Sequence, residues 1–132
     1  GRNTWVYIDE IYLLFQHEYS ASFLFTLWKR VRKYGALCTG ATQNVEDLLQ
    51  SHTARTMLAN SEFLVMLNQA ATDRAELARL LNISDNQLSY ITNVDFGRGL
   101  IKCGSAIVPF MDNFPKNRLY RLMSTKLSEQ AK

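Results

Sequence analysis

Apolar positions change their spacing along this chain, and the changes mark out its elements. Residues 5–8 (Trp-Val-Tyr-Ile) are an uninterrupted apolar, β-prone run that reads as a buried strand. Between 17 and 34 the spacing lengthens: Phe23, Leu24, Leu27, Trp28 and Val31 recur at helical intervals and read as a core-facing stripe. That helix runs out in Lys29, Arg30, Arg32 and Lys33, with Gly35 placed to end it in a left-handed turn. Residues 36–42 are small and apolar and predict a second strand. Asn44 is a candidate N-cap for a short helix over 45–50, and Ser51 for another ending near 59. A third strand is predicted at 62–67 (EFLVML). Asp73 with Glu76 suggests a capped helix through 81, and Ser84 with Gln87 spells a capping box for a helix through 91. Past Phe96-Gly97-Arg98-Gly99, the runs 100–103 and 106–110 flank Gly104-Ser105, a two-residue hairpin link. A last helix is expected over 119–129.

Strands alternating with helices in this order predict an α/β layer structure, parallel at first, with crossover helices and an antiparallel hairpin at the C-terminal end. In open sheets of that kind ligands sit outside the carboxyl ends of the parallel strands. Asp9 and Glu10 follow the first strand and Gln43 follows the second.

Composition narrows the class without naming a chemistry. With 132 residues, 47% hydrophobic and 20% charged, the chain is long enough to bury a core, and disorder is a poor description of it. No apolar run approaches the ~18–20 residues a bilayer span needs, and no signal-peptide pattern occurs within the sequence. Cys38 and Cys103 both sit in apolar contexts, which suits a reduced compartment. A net charge of +3 permits contact with nucleic acid or anionic lipid without demanding it. His17 and His52 stand apart from any metal-ligand spacing. Arg98 between two glycines, and Lys116 and Arg118 near Tyr120, read as a turn and a solvated basic tail.

An apolar strand ending in Asp-Glu is the pattern of a Walker B strand. The strand carries the carboxylates to the rim of a sheet, where Asp9 can hold Mg²⁺ through water and Glu10 can take a proton from water attacking a γ-phosphate. The competing reading is that the two carboxylates only cap the next helix. Gln43, at a neighbouring strand tip, has the chemistry to orient that water or sense the γ-phosphate; otherwise it is a polar loop residue before an N-cap.

The stretches "WVYIDEIYLLF", "LWKRVRKYGALCTGATQNVEDLL", "GRGLIKCG" and "VPFMDNFPKN" together resemble the C-terminal half of the large conjugation ATPases of type IV secretion systems. Within the wider FtsK/HerA class of RecA-like motors, the likeness is strongest to those of Gram-positive conjugative elements. The resemblance covers nearly all 132 residues and implies a partial RecA-like P-loop ATPase core, from Walker B onward, occupying 1–132. It implies Asp9 as the Mg²⁺-associated acid, Glu10 as catalytic base and Gln43 as sensor glutamine, with ATP and Mg²⁺ as ligands. It also implies Arg32, beside Lys33, as an arginine finger reaching a neighbouring subunit's nucleotide, where a planar cation stabilises phosphoryl charge. Without the resemblance, Lys29, Arg30, Arg32 and Lys33 simply complement a helix C-terminus.

No G-x-x-x-x-G-K-[ST] phosphate loop occurs in the sequence. In the family that loop precedes Walker B, so the chain is expected to be a C-terminal fragment of a larger ATPase, or an excised piece of one, inactive alone. It is also expected to lack strands from the middle of the full sheet, leaving an unpaired edge or apolar patch that invites self-association. The resemblance implies a hexameric or dimeric motor at the cytoplasmic face of the membrane, working with the secretion channel and coupling proteins, with DNA as a further candidate partner. The alternative is a non-catalytic α/β interaction domain binding a secretion partner or DNA. A phosphate loop encoded upstream separates the two.

Overall fold

The computed structural model describes residues 3–125. Strand β1 (Thr4–Ile8) leads through a 3-10 turn (Ile11–Phe15) into helix α1 (Glu18–Arg30) and a second 3-10 turn (Val31–Tyr34). Strand β2 (Ala36–Gly40), helices α2 (Val45–Gln50) and α3 (His52–Ala59), and strand β3 (Phe63–Met66) follow. Then come α4 (Ala71–Leu81), α5 (Asp85–Leu88) with a 3-10 turn (Ser89–Ile91), β4 (Arg98–Cys103), β5 (Ala106–Met111) and α6 (Arg118–Met123). Positions 126–129 of the expected last helix lie outside the described residues.

The strands form two sheets. β1 and β2 pair in parallel, from Thr4 against Ala36 to Ile8 against Gly40. β3, β4 and β5 form an antiparallel sheet in that order. The hairpin is where Gly104-Ser105 predicts it, with Cys103 opposite Ala106. The third strand differs from a simple continuation of the parallel layer, because it joins the hairpin antiparallel instead. Its burial alternates, with Phe63 and Val65 exposed and Leu64 and Met66 turned inward, the one-sided pattern of an antiparallel strand.

β1 likewise departs from the expected burial on both faces. Val6 and Ile8 are half-buried, whereas Trp5 is 60% and Tyr7 71% exposed. Leu37, opposite Trp5, is exposed too, so one face of the parallel pair is uncovered. The unpaired apolar surface expected of this chain is therefore present, on Trp5, Tyr7 and Leu37 and again on Phe63, Val65 and Val108.

Local capping follows the sequence closely. Asn44 accepts the Asp47 N–H at the start of α2, and Ser51 accepts the Ala54 N–H at the start of α3. Ser84 and Gln87 form both halves of the capping box. Gly35 ends the second 3-10 turn at φ 68°. Asp73 is not a cap: α4 begins two residues earlier, after Ala70, and Asp73 lies in its first turn, where a carboxylate still favours the helix dipole.

Two apolar clusters hold the elements together. Leu49, Met66, Leu77, Leu81, Ile83, Ile91 and Leu100 fill the space between α2, α4 and the antiparallel sheet. Ile11, Leu24, Leu48, Ala54 and Met57 fill the smaller space beside the parallel pair. Adjacent residues Leu48 and Leu49 of α2 enter different clusters, and Leu58 packs against both. In α1 the buried positions are Ala21 and Leu24. Phe23, expected in that stripe, is 63% exposed, because the face set by Ala21 and Leu24 turns it outward.

Candidate functional site

The parallel register places the carboxyl ends of β1 and β2 side by side. Two hydrogen bonds continue the contact beyond the strands: Ala41 N–H donates to the Ile8 carbonyl and Ile11 N–H to the Ala41 carbonyl, each at 2.9 Å. Gly40 makes this possible. A Cβ there would collide with Cδ1 of Ile11, whose side chain is buried in the smaller cluster. Hence the chain leaving β1 folds tightly over the tip of β2.

Asp9 and Glu10 occupy that crossing. Glu10 has φ 47° and ψ 47°, a left-handed conformation that costs a non-glycine residue roughly 1–2 kcal/mol. Its N–H donates to Oδ1 of Asp9 at 2.9 Å, which fixes the aspartate at the strand end. The Glu10 side chain caps nothing in the following 3-10 turn, so helix capping does not account for it. Asp9 is exposed and Glu10 half-buried.

Beyond β2, the Thr42 hydroxyl accepts the Asn44 N–H at 3.1 Å, holding the turn into α2. Gln43 lies within that turn and is exposed. Asp9, Glu10 and Gln43 thus come from neighbouring strand ends at one edge of the pair. Arg32 is at the other edge. It sits in the 3-10 turn before β2, exposed, separated from Gln43 by a five-residue strand, about 16 Å at ~3.3 Å per residue.

A hollow of about 480 Å³ lies beside this corner, among Tyr12, Phe15, Glu18, Asp47 and Gln50. None of the four candidate residues lines it. Among the described residues no group of three or more His, Cys, Asp or Glu could hold a metal ion. Mg²⁺ held mostly by water and phosphate oxygens needs only one or two carboxylates, which Asp9 at an exposed strand tip fits. The triphosphate grip does not fit: the sequence has no glycine-rich cradle with its lysine.

Comparison with known proteins decides the family. The model of the TraG P-loop domain matches residues 1–99. The chain belongs to the TraG P-loop domain family. Among solved structures, VirB4 of Thermoanaerobacter pseudethanolicus superposes with a TM-score of 0.79 at 26% sequence identity, covering 86% of this chain and 32% of that one. This TraG-family chain therefore spans about a third of the length of that VirB4 chain, and shares its mixed α/β fold. No curated protein sequence matches at a significant level. Among the described residues no helix is long and apolar enough to cross a membrane.

Sequence reasoning missed the left-handed Glu10 and the Ile11–Gly40 contact beneath it. The available signal was a glycine at the end of a predicted strand, opposite an apolar residue just past the Asp-Glu pair.

Proposed function

We propose that this chain is the Walker B portion of an ATP-hydrolysing motor of a type IV secretion system. The observation that carries the proposal is the crossing of the β1 and β2 tips, which gathers Asp9, Glu10 and Gln43 at one sheet edge. In this reading the parent protein supplies the phosphate loop, and the fragment alone does not hydrolyse ATP.

Each residue has a distinct task. Asp9 would hold the Mg²⁺ that accompanies ATP, and the ion would supply neutralisation of phosphate charge. Glu10 accepts the proton of the attacking water at its carboxylate, and Gln43 orients that water through its amide. Arg32, at the far edge of the pair, serves the nucleotide of an adjacent subunit rather than its own. The motor works at the cytoplasmic side of the membrane with the secretion channel and its coupling proteins.

Two experiments test these roles in the parent protein. Asp9→Asn should raise the Mg²⁺ concentration needed for half-maximal hydrolysis; an unchanged requirement removes Asp9 from the metal. Arg32→Ala subunits mixed with Glu10→Gln subunits should regain activity, since each supplies what the other lacks. Absence of rescue at every ratio rejects the trans role.

A further inference from the structure

The hollow beside the β1–β2 corner has walls and a charge of its own. At about 480 Å³ it lies within the usual range of ligand pockets, roughly 300–1,000 Å³. Its two sides are the segments that leave the strand tips. Tyr12, Phe15 and Glu18 come from the 3-10 turn after Glu10 and from the start of α1; Asp47, Gln50 and Ser51 come from α2 and the α2–α3 junction. Tyr12, Phe15 and Ser51 are half-buried, whereas Glu18, Asp47 and Gln50 are exposed. The hollow thus has an aromatic interior and a polar rim that carries two carboxylates.

Both sides are held in place by the fold itself. Tyr12 and Phe15 pack against the smaller cluster. The Ser20 hydroxyl donates to the Leu14 carbonyl at 2.6 Å, tying the 3-10 turn to α1. Nη1 of Arg55 donates to the Leu49 carbonyl and Ser51 N–H to the Leu48 carbonyl, each at 3.2 Å, fixing the α2–α3 junction. A site built in advance loses little further entropy when its ligand arrives. The charge is one-sided: among the described residues no lysine, arginine or histidine lines the hollow. Neither Glu18 nor Asp47 has an ion-pair partner among them. Asp47 accepts only the Asn44 side-chain amide, at 2.7 Å. The N-termini of α1 and α3 add about half a positive charge each, which two full carboxylate charges outweigh. Aromatic faces beside carboxylates suit a cation that can also stack. A guanidinium is planar, weakly hydrated and rich in donors, whereas an ammonium is more strongly hydrated and gains less from an aromatic wall.

We propose that this hollow receives an arginine side chain of a partner protein, its guanidinium set against Tyr12 and Phe15 and paired with Glu18 and Asp47. The exposed polar rim admits a side chain carried on another polypeptide. Its occupant braces the two segments that leave the β1 and β2 tips. The proposal rests on the hollow alone and stands whether or not the chain serves ATP hydrolysis.

Titration of the ¹⁵N-labelled chain with the blocked tripeptide acetyl-Gly-Arg-Gly-amide, followed by NMR, tests it. Saturable shifts are expected at residues 12–18 and 47–53, with a dissociation constant on the order of 1 mM or weaker for one side chain alone. The peptide carrying citrulline, which keeps the shape and removes the charge, should not saturate. The lysine peptide should bind about threefold more weakly or worse. Glu18→Gln and Asp47→Asn should each weaken arginine-peptide binding about fivefold, and physiological salt should weaken it relative to low salt. Both positions are exposed, so thermal melting should not move and a folding defect is distinguishable. Absence of saturable shifts at those residues overturns the proposal, as does binding that survives Glu18→Gln and Asp47→Asn together. Equal binding of the citrulline or lysine peptide overturns it as well. Saturation of the same residues by inorganic phosphate instead makes the hollow an anion site at helix N-termini and refutes the assignment. Free L-arginine binding tenfold more tightly than the blocked peptide refutes it too, because the ligand is then an amino acid rather than a protein side chain.

Discussion

The parallel pair β1–β2 and the antiparallel sheet β3–β4–β5 divide the work of this chain between them. The antiparallel sheet closes over the larger cluster, where Ile91 and Leu100 are fully buried. Gly99 is part of that closure: a Cβ there would meet the Met66 carbonyl oxygen and lie 2.8 Å from the Phe110 ring. The parallel pair rests on the smaller cluster and leaves Trp5 and Tyr7 in solvent. Yet the parallel pair carries the Asp-Glu crossing, the left-handed Glu10 and the glutamine beyond β2. Candidate chemistry sits on the thinly supported half and stability resides in the other, as expected where a site needs access and strain while a core needs neither.

Substitutions can break that contrast or sharpen it. The largest stability loss is expected from Leu100→Ala, about 3–5 kcal/mol from transfer and cavity terms, read by denaturant unfolding. Leu24→Ala, at the smaller and more open cluster, should cost less, about 2–3 kcal/mol. Equal losses would erase the distinction between the halves. Ser84→Ala removes one side of the capping box and should cost about 1 kcal/mol. Trp5→Ser, on the uncovered face, should fall within about 0.5 kcal/mol; a loss like that of Leu24→Ala would mean that face is covered in solution. The smallest effect concerns thiols. Burial pushes the Cys38 thiol up from its ordinary value, whereas Cys103 is exposed. Iodoacetamide should therefore modify Cys103 before Cys38. With its folded value raised, Cys38 contributes stability that is full below the ordinary thiol range and fades as pH rises through that shifted value.

What was legible in the sequence is mostly what is local. Asn44, Ser51 and the Ser84–Gln87 box cap helices because each acts within four residues. Gly104-Ser105 makes its hairpin for the same reason. Non-local choices were not legible. Whether β3 extends the parallel layer or joins the hairpin depends on partners that arrive some 35 residues later, at 98–103. Phe23 fits a helical stripe by spacing alone, yet Ala21 and Leu24 set the buried face. At the site, the sequence put Asp9, Glu10 and Gln43 at strand ends, and those strands are neighbours. The conformation of Glu10 was hidden because it depends on Ile11 packing where Gly40 has no side chain.

The most direct measurement is ATP turnover by the parent protein carrying Glu10→Gln, with nucleotide binding followed in parallel. If Glu10 takes the proton from water, turnover should fall by roughly 10²–10⁴-fold, the usual worth of a general base, while binding and melting temperature stay as in the unaltered protein. Hydrolysis at near-normal rate with Glu10→Gln would contradict the assignment and leave the β1–β2 crossing a structural feature alone.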